Sequence, residues 1–330
     1  MPHGRPNSFG TCRRPLPERV RASCVRLFPL AGPRKAVTRL VPMQTAGIIT
    51  ALHKPNAADA TRRLREALER HGVRCRLTPA CAEAIGAPEL AGSFDEIADQ
   101  ELVFILGGDG SVLLTARHAA PKGTPMLPLE VGGFGFLYET PATGIEEQLG
   151  RVVAGDYEIE ERLLLEAAVL RRGARIKEAI GLNDAVIAKG ALSRVVRLKV
   201  NVGDEEVSHY PADGLIVSTP TGATAYSLSA GGPLVHPGVN VFLLTPICAH
   251  TLFARPLIIG SHEDIRIDIG LDSSRDEEVM LTVDGQIGFA LEDGDVVCVK
   301  AAPYRAKLVK LGPAGFYSRL KTKFQWGGGL

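Results

Sequence analysis

Two stretches hold most of the residues whose types and spacing suit chemistry. Residues 102–120 read LVFILGGDGSVLLTARHAA. The apolar run Leu102–Leu106 predicts a buried strand, three glycines break it, and Ser111 opens a segment with helical spacing in Val112, Leu113 and Ala116. Such a turn leaves backbone N–H groups facing outward at the positive end of a helix dipole, so Gly107, Gly108, Gly110 and Ser111 form a candidate phosphate loop. Asp109 puts a carboxylate in the same place. A carboxylate repels a phosphate unless a metal ion or a substrate hydroxyl proton lies between them. That pairing suggests phosphoryl transfer to an alcohol. The alternative is a plain strand-to-helix turn capped by an aspartate.

Residues 210–233 read YPADGLIVSTPTGATAYSLSAGGP. Small and hydroxylated residues dominate, with Ser218, Thr219, Thr221, Thr224, Ser227 and Ser229 as donors and Tyr226 as a ring for stacking. A turn at Thr219–Gly222 leading into a helix over Ala223–Ala230 would let a nucleotide lie close to the backbone; a structural Ser/Thr-rich loop is the other reading. Asn183 and Asp184, in GLNDAVIAKG, would point to opposite faces of a strand. At a strand end or bulge both can meet one ligand, the amide reading a base edge and the carboxylate accepting from ribose hydroxyls; otherwise they are a turn dipeptide. VDGQ at 283–286 reads as a hairpin turn, since Asp-Gly favours tight primed geometry. His250 reads as a core or interface histidine in preference to a catalytic base. Neither H-E-x-x-H nor G-x-x-x-x-G-K-[ST] occurs, which removes zincin and P-loop chemistry.

The elements that must carry these residues alternate at first. Gly47–Leu52 predicts a strand, Asn56–Arg70 a helix, Val73–Leu77 a strand, and Pro125–Val131 another strand before a second glycine turn at Gly132, Gly133 and Gly135. A helix over Thr143–Ala154 closes this half. Alternating strands and helices predict a Rossmann-like parallel sheet over residues 43–155, with both glycine turns at its carboxyl edge. From Tyr157 strand-like runs follow one another at 163–170, 179–188, 195–202, 207–210, 215–218, 240–244, 265–269, 279–283 and 296–300. Residues 156–310 therefore read as all-β, a sandwich or a barrel-like stack. The tail, 311–330, with Phe316, Leu320 and Phe324 near helical spacing, is expected to pack back on the first domain.

Composition bounds the function. With 45% hydrophobic and 23% charged residues and no apolar run near the roughly 20 residues of a membrane helix, the chain reads as an ordinary globular protein without a membrane role. The net charge of +1 hides an uneven split. Residues 1–42 carry eight arginines and Lys35 against Glu18, leaving the other 288 residues net acidic, so nucleic acid is not an expected partner. This leader is expected to be disordered or non-native, Met43 standing directly before the first strand, although a transit peptide has similar composition. Six cysteines without a C-x-x-C pair point to reduced thiols in the cytoplasm.

The order GGDGS, LND, ADGLIVSTPTGATAYSLSAGGP, TPICAHTL followed by ARPL, and VDGQ resembles the NAD kinases over about residues 44–326. GGDG alone is shared with diacylglycerol, sphingosine and phosphofructokinases, whereas the block from Ala212 to Pro233 with LND is specific. The resemblance implies an α/β domain plus a β-rich NAD-binding domain, and transfer of the ATP γ-phosphate to the 2′-hydroxyl of the adenosine ribose of NAD. It implies Asp109 as general base, with a divalent ion, Mg²⁺, neutralising the ATP phosphates. Gly110, Asn183, Asp184, Arg194, Asp213, Thr224, Ala225, Tyr226, Ser227, Leu228, Ser229 and Gln286 fall, with Asp109, where that family contacts the dinucleotide. It also implies a homo-oligomer, a dimer or tetramer. Glu130, Pro211 and Ala223 depart from the family's usual Asn, basic or polar residue, and Ser or Thr.

Overall fold

The computed structural model describes residues 35–37, 42–131, 135–138, 140–190, 195–271, 278–312 and 315–326. Lys35–Val37 forms a short strand (β1). Residues 1–34 and 38–41, on which most of the expectation of a disordered leader falls, lie outside this set, as do Gly132 and Gly133.

The first half alternates as the periodicity predicts. β2 (Thr45–Thr50) leads to α1 (Ala57–Arg70), which buries Ala60, Leu64, Ala67 and Leu68 on one stripe. β3 (Arg74–Leu77), α2 (Pro79–Ala84) and α3 (Phe94–Ala98) follow, the last opened by a capping box between Ser93 and Glu96. β4 (Val103–Gly107) is buried at every position, as a parallel strand covered on both faces must be. α4 (Asp109–Lys122) starts directly after it and ends on Gly123, whose φ of +71° is the left-handed value favoured at helix C-termini. β5 (Pro125–Glu130) pairs with β4, β4 with β2 and β2 with β3, all parallel. α1 covers one face of these strands, and α3 and α4 the other. β6 (Thr140–Pro141) adds to β5, and the helix expected over 143–154 is a 3₁₀ turn at Ile145–Glu147 followed by α5 (Leu149–Val153).

The second half is a sandwich. β7 (Tyr157–Arg171), β8 (Ala174–Gly181), β10 (Val196–Val202), β11 (Glu205–Ala212), β15 (Ile265–Gly270) and β18 (Val296–Lys310) lie in one sheet. β9 (Asp184–Lys189), β12 (Gly214–Ser218), β13 (Val241–Ile247), β14 (Leu257–Gly260), β16 (Val279–Val283) and β17 (Ile287–Leu291) make a second, antiparallel sheet. Alternate residues meet between them: Val196, Leu198 and Val200 of β10, Ile265 and Ile267 of β15, Leu215 and Val217 of β12, Leu281 of β16. Each such fully buried aliphatic side chain stabilises by about 1.5–3 kcal/mol.

Two expectations about strands change. The run over 179–188 divides into β8 and β9, because the backbone turns at Leu182 and Asn183 to satisfy a buried acid described below. The last strand runs ten residues beyond Lys300, through Pro303, to Lys310. β18 pairs antiparallel with β7 and β15, and then parallel with β5 at Lys307 and Leu308. The α/β half and one layer of the sandwich are consequently a single continuous sheet. β1 pairs with β7, Val37 opposite Tyr157. α6 (Tyr226–Ser229) is a single turn between β12 and β13, and in the tail α7 (Phe316–Lys323) buries Leu320. Phe324 lies 5.8 Å from the ring of Phe136 and Phe316 lies 5.1 Å from that of His236, so the tail touches both halves. No helix of the described residues is long and apolar enough to cross a membrane.

Candidate active site

The turn between β4 and α4 is tightly closed. A Cβ on Gly107 would sit 2.5 Å from Ser111 Oγ and 3.1 Å from Ala51 Cβ, so any larger residue there would have to displace Ser111. Gly108 is the N-cap, Asp109 the first helical residue, and Gly110 is exposed. The Asp109 carboxylate is suspended at both oxygens: Phe136 N–H donates to Oδ2 at 2.9 Å and Leu137 N–H to Oδ1 at 3.0 Å. Each oxygen keeps a further lone pair. Tyr138 donates its hydroxyl to the Gly108 carbonyl at 2.6 Å. Burial, then the charges of Asp109 and Glu130, push the Tyr138 phenol well above its ordinary range, which keeps it a donor. Gly135, the described member of the second glycine turn, lies so close that a Cβ there would be 2.5 Å from Asp109 Oδ1.

In the sandwich, Asp284 organises the Asn183–Asp184 turn. Its Oδ2 accepts from Leu182 N–H at 2.9 Å and its Oδ1 from Asn183 and Asp184 N–H at 2.8 and 3.2 Å. Asp284 and Gly285 both have positive φ, 53° and 63°, and Gln286 N–H closes on the Val283 carbonyl at 3.0 Å, the tight primed hairpin that Asp-Gly predicts. Burial pushes Asp284 above the ordinary carboxylate range, opposed by the three amides and by Arg117. Asp184 is also buried, and burial followed by the nearby Asp284 charge raises it to about 7.

The Ser/Thr-rich block packs onto this turn. Thr219 N–H and Ser218 Oγ donate to the Asn183 carbonyl at 2.8 and 3.1 Å, and a Cβ on Gly222 would lie 2.2 Å from that same oxygen. The expected helix over 223–230 is a 3₁₀ turn at Gly222–Thr224 and then the single helical turn α6. Ser218, Thr219, Thr221 and Ser227 are buried, Ser227 Oγ sharing a hydrogen bond with Thr245 Oγ1 at 3.0 Å. Thr224, Ala225 and Leu228 are half-buried, while Tyr226 and Ser229 are exposed. Arg162, on β7, is almost fully buried and donates to Thr221 Oγ1 at 3.3 Å and to Glu160 at 3.0 Å. Although burial would raise Glu160, Arg162 and Lys310 pull it down to about 2.

The two assemblies meet at Gln286. Its Nε2 donates to the Gly110 carbonyl at 2.8 Å, and Arg117 of α4 donates to its Oε1. Thus Asp109, Gly110, Gln286 and, through Asp284, Asn183 and Asp184 share one region. Asp213 does not: it precedes β12, whose other end carries Ser218 opposite Asp184, a span of roughly 15–20 Å at about 3.3 Å per residue. There its carboxylate stands 3.2 Å from Lys189 Nζ and 3.8 Å from His250 Nε2. His250 is exposed, so of the two expected positions, core or interface, the core one does not hold. Arg194 lies outside the described residues. Sequence reasoning passed over Arg117, Arg162, Tyr138 and the amide-binding role of Asp284; only Arg117 left a signal, seven residues or two helical turns beyond Gly110.

A carboxylate suspended beside an exposed glycine turn, facing a sandwich loop that presents buried acids and hydroxyls, defines a phosphotransferase acting on an alcohol. Comparison with known proteins gives the family. Residues 46–157 match the ATP-NAD kinase N-terminal domain and residues 182–311 the ATP-NAD kinase C-terminal domain. The NAD kinase of Moorella thermoacetica is 44% identical over 286 residues, 87% of this chain and 91% of that protein. That of Heliobacterium modesticaldum is 42% identical over 86% of this chain and its own full length. A crystal structure of yeast NADH kinase complexed with NADH superposes with a TM-score of 0.76 at 27% identity, covering 88% of this chain and 90% of that one. An Archaeoglobus fulgidus NAD kinase in complex with ATP shares the fold, with a TM-score of 0.66 at 21% identity over 86% and 98%. The chain belongs to the NAD kinase family.

Proposed function

We propose that Asp109 is the general base in the phosphorylation of NAD by ATP, the reaction of the family to which the chain belongs. The carboxylate takes the proton of the 2′-hydroxyl on the adenosine ribose. That oxygen forms a bond to the γ-phosphorus, the bond from the γ-phosphorus to the β–γ bridging oxygen breaks, and ADP leaves with NADP as product. An aspartate is intrinsically a weak base, so positioning carries much of the rate, and the two amides of Phe136 and Leu137 set the direction of the carboxylate before substrate arrives. That suspension is the observation that carries the reading. Of the expected phosphate loop, the N–H groups of Gly108 and Gly110 hold phosphate oxygens, while Ser111 N–H is spent on the Gly108 carbonyl at 2.8 Å and Gly107 is buried at the end of β4. Asn183, Asp184, Arg194, Gln286 and the segment Thr224–Ser229 bind the dinucleotide, Tyr226 and Ser229 by their exposed groups and Ser227 by shaping the loop from beneath, whereas Asp213, at the far end of β12 beside Lys189, is left out of this set.

Among the described residues no group of three or more His, Cys, Asp or Glu side chains is placed to hold a metal ion. The divalent ion, Mg²⁺, would neutralise charge on the ATP phosphates during transfer. We assign a homo-oligomer on the apolar outer surface of the second sheet and its loop, where Leu252, Phe253, Ile258 and Met280 are exposed. We place the enzyme in the cytoplasm, in keeping with the unpaired Cys75, Cys81, Cys248 and Cys298.

The test is NADP formation from ATP, Mg²⁺ and NAD, followed with an NADP-specific dehydrogenase. Asp109→Asn is expected to lower kcat by about 10²–10⁴-fold with the KM for NAD within about threefold of the wild type. Equal losses in kcat and NAD binding would argue against a base.

A further inference from the structure

Arg117 lies on the face of α4 that carries Gly110, about 10 Å along the axis at 1.5 Å per residue. Its guanidinium reaches across the cleft to Gln286 Oε1, and the opposite atom of the same amide, Nε2, donates to the Gly110 carbonyl. An amide flipped by 180° would set its oxygen against that carbonyl and its NH₂ against the guanidinium, two repulsive contacts in place of two hydrogen bonds. Arg117 therefore permits one orientation of Gln286. The hairpin that holds Gln286 also holds Asp284, two residues earlier, and Asp284 holds the backbone of Leu182, Asn183 and Asp184. Two buried carboxylates stand on that side, and Arg117 is the cation whose charge acts on Asp284. The Arg117 Nε is buried and makes no hydrogen bond, so the side chain is committed to the cleft by its NH₂ end alone.

We propose that Arg117 is a positioning residue for phosphoryl transfer: by locking the Gln286 amide onto Gly110 it sets the distance between Asp109 and the Asn183–Asp184 turn. The inference rests on the assignment of Asp109 as base and of that turn to the dinucleotide. A ribose held by the sandwich must present its hydroxyl to a carboxylate held by α4, and the Arg117–Gln286–Gly110 chain is a hydrogen-bonded side-chain connection between the two at the site. Loosening it at Arg117 leaves the residues assigned to the dinucleotide in place and degrades their alignment with Asp109, a loss that falls on kcat.

The test is a kinetic cycle on the full chain with Arg117→Met, Gln286→Ala and the double variant, alongside Arg117→Lys. Arg117→Met is expected to lower kcat about 10- to 50-fold with the KM for ATP within about threefold, and Arg117→Lys to recover part of that loss. Gln286→Ala should cost a similar factor in the wild-type background and less than about twofold in Arg117→Met. Multiplicative losses in the double variant, or wild-type kcat in Arg117→Met, would overturn the proposal. Should Arg117→Met fail to fold, Arg117→Ala, which also lacks a donor and favours the helix, replaces it in the cycle with the same two outcomes. Failure of the base assignment is separable, since it shows as wild-type kcat in Asp109→Asn whatever the cycle gives.

Discussion

The site contains two Asp-Gly dipeptides that face one another, Asp109-Gly110 and Asp284-Gly285, and they use the same interaction for opposite ends. Asp109 accepts two backbone N–H groups at a half-exposed edge; Asp284 accepts three in the interior of the sandwich. The first carboxylate is aimed by its amides and remains open to a ligand. The second is consumed by them and serves as the framework of a turn. Burial separates the roles: an acid enclosed with three donors cannot be spared for substrate, because removing it strands all three.

Removing each acid in turn is the strongest way to break this contrast. Asp284→Ala leaves three N–H groups without their acceptor, at roughly 1–3 kcal/mol each, and is expected to destabilise the protein by upwards of about 4 kcal/mol. Asp109→Ala should leave the melting temperature within a few degrees. Similar falls in both variants, read by thermal unfolding, would erase the distinction. Next in size is a pH effect from Asp184, which burial and Asp284 raise from 3.8 to about 7. Between these values the folded state binds the extra proton, so stability falls as pH rises from about 4 to 7 and is flat above, by at most on the order of 4 kcal/mol. Asp184→Asn should flatten that fall and melt higher than the wild type at pH 8 while binding NAD more weakly; an unchanged pH profile of melting temperature would contradict it. The smallest effect sharpens the Asp109 side. Gly135→Ala sets a methyl against Oδ1 and is expected to lower kcat about 10- to 100-fold with little change in melting temperature, whereas a mere surface turn would leave kcat alone.

How much of this was legible in the sequence follows from where each partner sits along the chain. β4, the glycine turn and α4 are contiguous, so five apolar residues, three glycines and a helical stripe announce them together. The Asn183–Asp184 turn shows as a polar pair but not as a strand break, because Leu182 is buried and continues the hydrophobic pattern through the bend. Its cause, Asp284, lies a hundred residues on and acts on backbone N–H groups, which leave no side-chain trace at the receiving end. Arg117 looks like a solvent-facing charge until the hairpin is placed opposite it. The second half of β18 was hidden by Pro303 and by a run, AAPYRAKLVK, without clean alternation. The Ser/Thr-rich block was read for its hydroxyls, and several of these turn inward, that of Ser218 to the Asn183 carbonyl and that of Thr219 to the Leu182 carbonyl.

The shared strand β18 sets a limit on how the enzyme opens. A clamshell motion of one half against the other would have to shear a girder bonded to β7 along one edge and to β15 and then β5 along the other. The separation between the glycine turn at the end of β4 and the sandwich loops is thus written into the hydrogen-bond register of one sheet rather than left to a hinge.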